Sequence, residues 1–128
     1  MKNNLYELFG EIFENAQYTE WNVALIVSKA YNTTAAYLFE KMQEMTMGQI
    51  IGYARNVAFF SDDDISELEY ILEKRNYLAH QFFKQNDIVK HSDNEKFLDN
   101  KVGELNNILI RFQNYNKRLS VLYRNNFE

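Results

Sequence analysis

Apolar residues recur three and four positions apart over most of this chain, which is the pattern of amphipathic α-helices. In the first segment, from about Asn4 to Tyr31, one apolar stripe is formed by Leu5, Leu8, Phe9, Ile12, Phe13 and Ala16. Trp21, Ala24 and Leu25 continue the stripe less cleanly. The segment is therefore either one long helix, which the pattern favours, or a helix that is kinked or broken at residues 17–19.

Helix start signals divide the following stretch. Residues 32–34 are predicted to form a loop or a cap, and residues 35–44 a short helix. Residues 46–49 (Thr-Met-Gly-Gln) match a capping box, with Thr as the N-cap, and the helix that they begin should reach about Phe59. Residues 61–64 (Ser-Asp-Asp-Asp) are a second start signal, because their carboxylates suit the positive end of the next helix.

The second half of the chain predicts two further helices. One runs from Ile65 to Gln85, and residues 85–90 follow as a polar connection. Residues 92–95 (Ser-Asp-Asn-Glu) match another capping box, so the last helix is predicted from about Asn94 to Arg124. Its stripe is formed by Phe97, Leu98, Val102, Leu105, Ile108, Leu109, Phe112, Tyr115, Leu119 and Leu122. The pattern predicts a single all-α domain over residues 1–128, an up-and-down bundle of four or five helices.

Composition supports this fold class and narrows the function. The 128 residues include no Pro and four Gly, which disfavours turn-rich β architectures. The lack of Cys excludes disulfides and thiolate metal sites and fits a reducing cytoplasm, which is the expected location. No apolar run is long enough to span a bilayer, and Glu7, Glu11 and Glu14 interrupt any secretory segment, so no membrane association is expected.

Charge is distributed unevenly along the chain, although its net value is only −4. Residues 1–73 hold four Lys and Arg against twelve Asp and Glu, a net of −8, and residues 74–128 hold ten against six, a net of +4. A basic surface in the second half could attract phosphate groups. The alternative is chance unevenness on solvated helix faces.

Chemically capable side chains interrupt the apolar pattern at residues 75–80 (Arg-Asn-Tyr-Leu-Ala-His). Asn76 and His80 are four residues apart and share one helix face, and Arg75 lies one step round from Asn76. Because histidine titrates near neutral pH, His80 can act as a general acid or base. Arg75 can hold phosphate oxygens with a planar set of donors, and Asn76 can fix the tautomer of His80. These three residues are the predicted catalytic site, and it requires no metal or cofactor.

This segment resembles the R-x4-6-H motif of the HEPN superfamily (higher eukaryotes and prokaryotes nucleotide-binding), including the polar residue that often follows the Arg. The predicted helical bundle, with the motif late in a middle helix and a long helix after it, resembles small bacterial and phage HEPN-like proteins. The resemblance spans about residues 9–122, and its specific part is the six-residue motif.

The resemblance implies a metal-independent endoribonuclease, a hydrolase of toxin–antitoxin or antiphage-defence type. It implies a homodimer in which the Arg75/His80 motifs of two subunits face each other, with RNA as substrate and a cognate antitoxin protein as a further partner. One toxin subgroup has a Tyr two residues after the His, which its antitoxin modifies. Here that position is Phe82, so this form of control is not expected.

Other functions remain open from the sequence. The main alternative is a catalytically silent HEPN-like dimer that binds a nucleotide, RNA or a partner protein. A purely structural role for the motif is also open, with Arg75 in an ion pair to Glu73 or Asp62 and His80 bonded to a carbonyl group. Additional RNA-binding candidates are Lys74, Lys84 and Arg55.

Overall fold

The computed structural model describes residues 2–31 and 35–128, so the loop predicted at residues 32–34 lies outside the described residues. All regular secondary structure among the described residues is helical. The helices are α1 (Lys2–Tyr31), α2 (Ala35–Met42), α3 (Met47–Ala54), α4 (Asp62–His80), α5 (Phe82–Gln85) and α6 (Glu95–Phe127). The all-α bundle predicted from the sequence is confirmed. Helix α1 is continuous, so the favoured prediction of one long helix is confirmed and the alternative of a break at residues 17–19 is not.

Three long helices form the body of the bundle. Helix α4 is antiparallel to α6, because Asp64 at its start contacts Arg118 and Tyr77 near its end contacts Glu104. Helix α1 is parallel to α6, because Thr19 contacts Asn116 and Lys29 contacts Tyr123. The long helices therefore alternate up, down and up, and the short helices α2 and α3 pack against α1.

A single apolar core joins these helices. The α6 stripe is buried as predicted, except that Phe97 and Val102 are only partly covered. A buried polar contact crosses the core between α1 and α6. Thr19 Oγ1 donates to Asn116 Oδ1 at 2.6 Å, and Asn116 Nδ2 donates to the Asn15 carbonyl oxygen at 3.2 Å. Because a buried amide is stabilised only when it is hydrogen-bonded, this contact favours one register of the two parallel helices.

The caps agree with the sequence at two of three places. Thr46 and Gln49 form a reciprocal capping box at α3, and Ser61 and Asp64 form another at α4. The capping box predicted at residues 92–95 is wrong. Asn94 is the N-cap of α6 instead, and its side chain accepts from the Phe97 N–H at 3.1 Å.

Two predicted helix ends also differ from the structure. Helix α3 ends at Ala54 rather than near residue 59, and residues 55–60 form turns. The helix predicted to reach Gln85 ends at His80, where Gln81 leaves helical geometry with φ −121°. This second difference determines the position of the motif.

Candidate functional site

The motif occupies the exposed end of α4 rather than the interior of a helix. The Gln81 N–H still donates to the Tyr77 carbonyl oxygen at 2.8 Å, and the single turn α5 begins at Phe82. The Phe82 side chain is fully buried, and its ring lies 5.8 Å from the ring of Phe9. The chain leaves helical geometry at Gln81 and then packs this ring against α1. His80 is therefore the last residue of α4.

The three predicted catalytic side chains differ in exposure. Asn76 and His80 are exposed, whereas Arg75 is half-buried. Within residues 2–31 and 35–128, none of the three side chains forms a hydrogen bond or an ion pair. The structural alternative for Arg75, an ion pair to Glu73 or Asp62, is thus not formed among these residues. All three polar groups remain available to a ligand.

Helix geometry separates Arg75 from His80. Five residues correspond to a rise of about 7.5 Å and a rotation of about 140° around the axis. Asn76 lies only about 40° from His80, so these two residues share the outer face of α4. Arg75 instead borders the side that carries the buried residues Leu68 and Ile71. Helix α4 thus presents the Asn76 amide and the His80 imidazole on its outer face, whereas the Arg75 guanidinium lies toward the buried side.

Tyr77, inside the motif, connects the end of α4 to two other elements. Its hydroxyl donates to Glu104 on α6 at 3.3 Å and accepts from Asn86 Nδ2, after α5, at 3.4 Å. Burial raises the pKa of Tyr77, and the Glu104 carboxylate raises it further. Sequence reasoning missed this role, because the partners lie 9 and 27 residues away and no local pattern marks them.

The additional RNA-binding candidates do not form one surface with the motif. The Arg55 guanidinium forms an ion pair with Glu69 on the exposed side of α4. The Lys74 ammonium lies 5.7 Å from the ring centres of both Tyr70 and Tyr77. Lys84 is exposed and forms no ion pair within the described part of the chain. Among these three candidates, only Lys84 presents an uncommitted charge.

Two of the ten basic residues in the second half of the chain join α6 to α4. Arg111 donates to Glu67 at 2.5–3.2 Å through two nitrogens, and its guanidinium carbon lies 3.5 Å from the centre of the Tyr70 ring. The Glu67 hydrogen bond raises the pKa of Arg111. Arg118 donates to Asp64 at 3.3 Å and 3.4 Å. The uneven charge found in the sequence is thus partly neutralised between helices.

No protein-family model, curated protein or solved structure matches this chain significantly. The site must therefore be interpreted from its own chemistry and from the motif resemblance.

The described residues were also compared with the requirements of a metal site and of a membrane-spanning helix. Among them, no three His, Asp or Glu side chains are grouped so that they could hold a metal ion. None of their helices combines the length and the apolar character needed to cross a bilayer.

A cavity of about 540 Å³ lies at the opposite end of the bundle. Its lining includes Lys29, Asn56, Phe59, Asn126 and Phe127. Helix α4 begins near this cavity and ends at the motif, so the two are about 28 Å apart, the length of a 19-residue helix. The cavity is not part of the candidate site.

Proposed function

We propose that this chain is a HEPN-like, metal-independent endoribonuclease that acts as a homodimer. Arg75, Asn76 and His80 are its catalytic residues. The observation that carries the proposal is the state of these side chains at the end of α4. They form no hydrogen bond or ion pair with any described residue, whereas Arg55, Arg111 and Arg118 are each paired with a carboxylate. A half-buried guanidinium without a carboxylate is suited to bind an anion such as a phosphate.

RNA supplies its own nucleophile, the 2′-hydroxyl group. Cleavage needs a base that removes the hydroxyl proton, an acid that protonates the leaving 5′-oxygen, and positive charge beside the phosphorane. His80 provides the proton transfer and Arg75 the charge. Asn76, one helical turn before His80, is placed to orient the imidazole or to bind a phosphate oxygen.

A second copy of the chain completes the site. Each chain offers one histidine in the motif, but the reaction needs an acid and a base at the same time. A two-fold axis beside the end of α4 would bring two His80 side chains together and place Arg75 of one chain opposite His80 of the other. The separation of about 140° between these residues on one helix also favours pairing between chains.

In the cell, we propose that this activity is that of a toxin or an antiphage effector. RNA cleavage without a specific trigger would stop growth, so a cognate antitoxin protein is the expected controlling partner. The motif resemblance is the basis for this biological role.

The catalytic assignment can be tested with matched pairs of variants. We expect His80→Ala and Arg75→Ala each to reduce cleavage of total RNA at least a hundredfold, because each removes a group that acts in the transition state. The controls are His91→Ala and Arg124→Ala, which replace a histidine and an exposed arginine outside the motif. Both controls should cleave like the wild type, and circular dichroism should show unchanged helicity in all four.

Two results would contradict the assignment. Cleavage at the wild-type rate by either motif variant would remove that residue from the mechanism. An RNA that copurifies with the wild type and stays intact would instead indicate a dimeric binding module without catalysis. Expression in bacteria adds a second readout, since the wild type should arrest growth and the two motif variants should not.

A further inference from the structure

Two exposed aromatic side chains lie directly beside the motif. Phe83 follows His80 by three residues and is 43% exposed, and Tyr6 on α1 is 40% exposed. Their ring centres are 6.2 Å apart at 62°, so the rings meet as a corner. Large aromatic side chains that remain this exposed at the end of a bundle are candidates for a contact outside the chain.

Three aromatic rings pack against Phe83 and leave much of its side chain exposed. The Phe9 ring is tilted by 32° with the centres 4.9 Å apart, and the Phe82 ring is nearly perpendicular at 5.2 Å and 79°. Together with Tyr6, these rings support Phe83 from within the bundle. An aromatic side chain supported in this way can stack on another planar group with little loss of side-chain entropy.

The charge near this face favours a nucleic acid as the occupant. Residues 74–90 carry four Lys and Arg against one Asp, a net of +3. Lys84 adjoins Phe83 and is exposed, and it forms no ion pair with any residue that the structure describes. Positive charge that contacts the backbone, together with aromatic faces that stack on bases, is the combination by which proteins bind single strands.

We propose that Phe83 and Tyr6 form a base-stacking subsite for one nucleotide of the RNA beside the scissile bond, and that the subsite prefers a purine. This inference rests on the proposed ribonuclease function and adds a specificity determinant to it. A purine is preferred because its two rings offer more surface to the exposed Phe83 and Tyr6 side chains than the single ring of a pyrimidine does. Lys84 then contacts the adjacent phosphate.

Binding of a non-cleavable RNA tests the subsite without catalysis. The probes are 2′-O-methyl octamers of adenosine and of uridine, which lack the nucleophile, and binding is measured by fluorescence anisotropy with the full chain. We expect the wild type to bind the adenosine octamer several-fold more tightly. Phe83→Leu keeps an apolar side chain but removes the π face, and should weaken adenosine binding about tenfold and abolish the preference.

Two variants serve as controls. Phe83→Trp retains an aromatic face and should bind at least as tightly as the wild type. Tyr18→Leu removes another exposed tyrosine of α1, 53% exposed and about 18 Å further along the helix, and should change nothing. Thermal melting checks whether Phe83→Leu is folded. If it is not, the binding of the two octamers by Phe83→Trp and Tyr6→Leu decides the proposal.

The proposal is overturned if Phe83→Leu binds both octamers like the wild type, or if Tyr18→Leu weakens binding equally. It is also overturned if Phe83→Leu converts a dimer to a monomer and each chain still binds the octamers with the wild-type affinity. In that case Phe83 and Tyr6 would form a subunit interface. Failure of the nuclease proposal is distinguishable. In that case His80→Ala would cleave like the wild type while the purine preference and its loss in Phe83→Leu remained.

Discussion

At the scale of single residues, the hydroxyl group of Tyr115 is the least satisfied polar atom of the described core. The Tyr115 side chain is buried, and its hydroxyl has no hydrogen-bond partner among the described residues. Burial raises the pKa of this hydroxyl, and the nearby Asp64 carboxylate raises it further. A neutral, unpaired hydroxyl in the core should destabilise the fold.

Tyr115→Phe should therefore increase the free energy of unfolding by about 1 kcal/mol, because it removes the unpaired group and keeps the ring. For a domain of this size the melting temperature should rise by about 3–5 °C. Thermal and urea unfolding, followed by circular dichroism, would measure both quantities. A clear decrease in stability would show that the hydroxyl has a partner in solution, such as a bound water molecule.

At the scale of elements, long side chains regularly bridge α4 and α6. The partners on α6 are seven residues apart, at Glu104, Arg111 and Arg118, so they lie on one face of that helix. Their partners on the antiparallel helix are Tyr77, Glu67 and Asp64. Exposed pairs of this kind contribute little individually, but Asp64 is buried and therefore matters more.

The Asp64–Arg118 pair should make stability depend on pH at the acid end. Burial alone would raise the pKa of Asp64, but hydrogen bonds from Arg118 and Ser61 lower it to below its usual value. Because the folded pKa is lower than the unfolded one, the stabilisation is complete above about pH 4 and is lost as the pH falls through the folded pKa.

Asp64→Asn should lower the free energy of unfolding by about 1 kcal/mol at pH 7, and this loss should become smaller below pH 4. The loss is not larger because the Arg118 side chain is exposed to solvent, which weakens the ion pair. Urea unfolding at several pH values would measure it. Asp63→Asn is the matched control, since Asp63 is an exposed residue of the same first turn. An equal, pH-independent loss in both variants would contradict a specific role for Asp64.

Sequence patterns predicted the elements where local chemistry decides them. The box at Thr46 was found because its capping partners lie three residues apart, and the helix start at Ser61 because three carboxylates follow it. The end of α4 was missed, because Gln81, Phe82 and Phe83 include no Gly or Pro and no local pattern marks the turn. The ion pairs of α4 with α6 were missed for the same reason, since their members lie 44 and 54 residues apart.

At the scale of the whole molecule, residues from α1, α4 and α5 meet at the end of the bundle that carries the motif. Sequence reasoning selected Arg75, Asn76 and His80, but it could not show that Arg75 borders the buried side while the other two face outward. Nor could it identify Phe83 and Tyr6 as neighbours, because 77 residues separate them and only the packing of α1 against α5 brings them together.

Pairing between chains leads to a subunit-mixing experiment. We expect equal amounts of wild-type and His80→Ala chains, unfolded and refolded together, to cleave RNA at about a quarter of the rate of the same total amount of wild type. Only about a quarter of the dimers would then contain both His80 side chains that the proposed reaction needs. His80→Ala alone should stay inactive. A rate of about a half would contradict pairing, because each wild-type chain would then act with its own His80.

The parallel arrangement of α1 and α6 has a practical consequence for labelling. Tyr6 contacts Phe83 beside the motif, whereas Phe127 contacts Phe59 at the far end of the bundle. As the sequence has no cysteine, one introduced thiol would carry a unique fluorophore. At Asn125 such a dye would sit about 28 Å or more from an RNA bound at the motif, and at Asn3 it would report on that RNA directly.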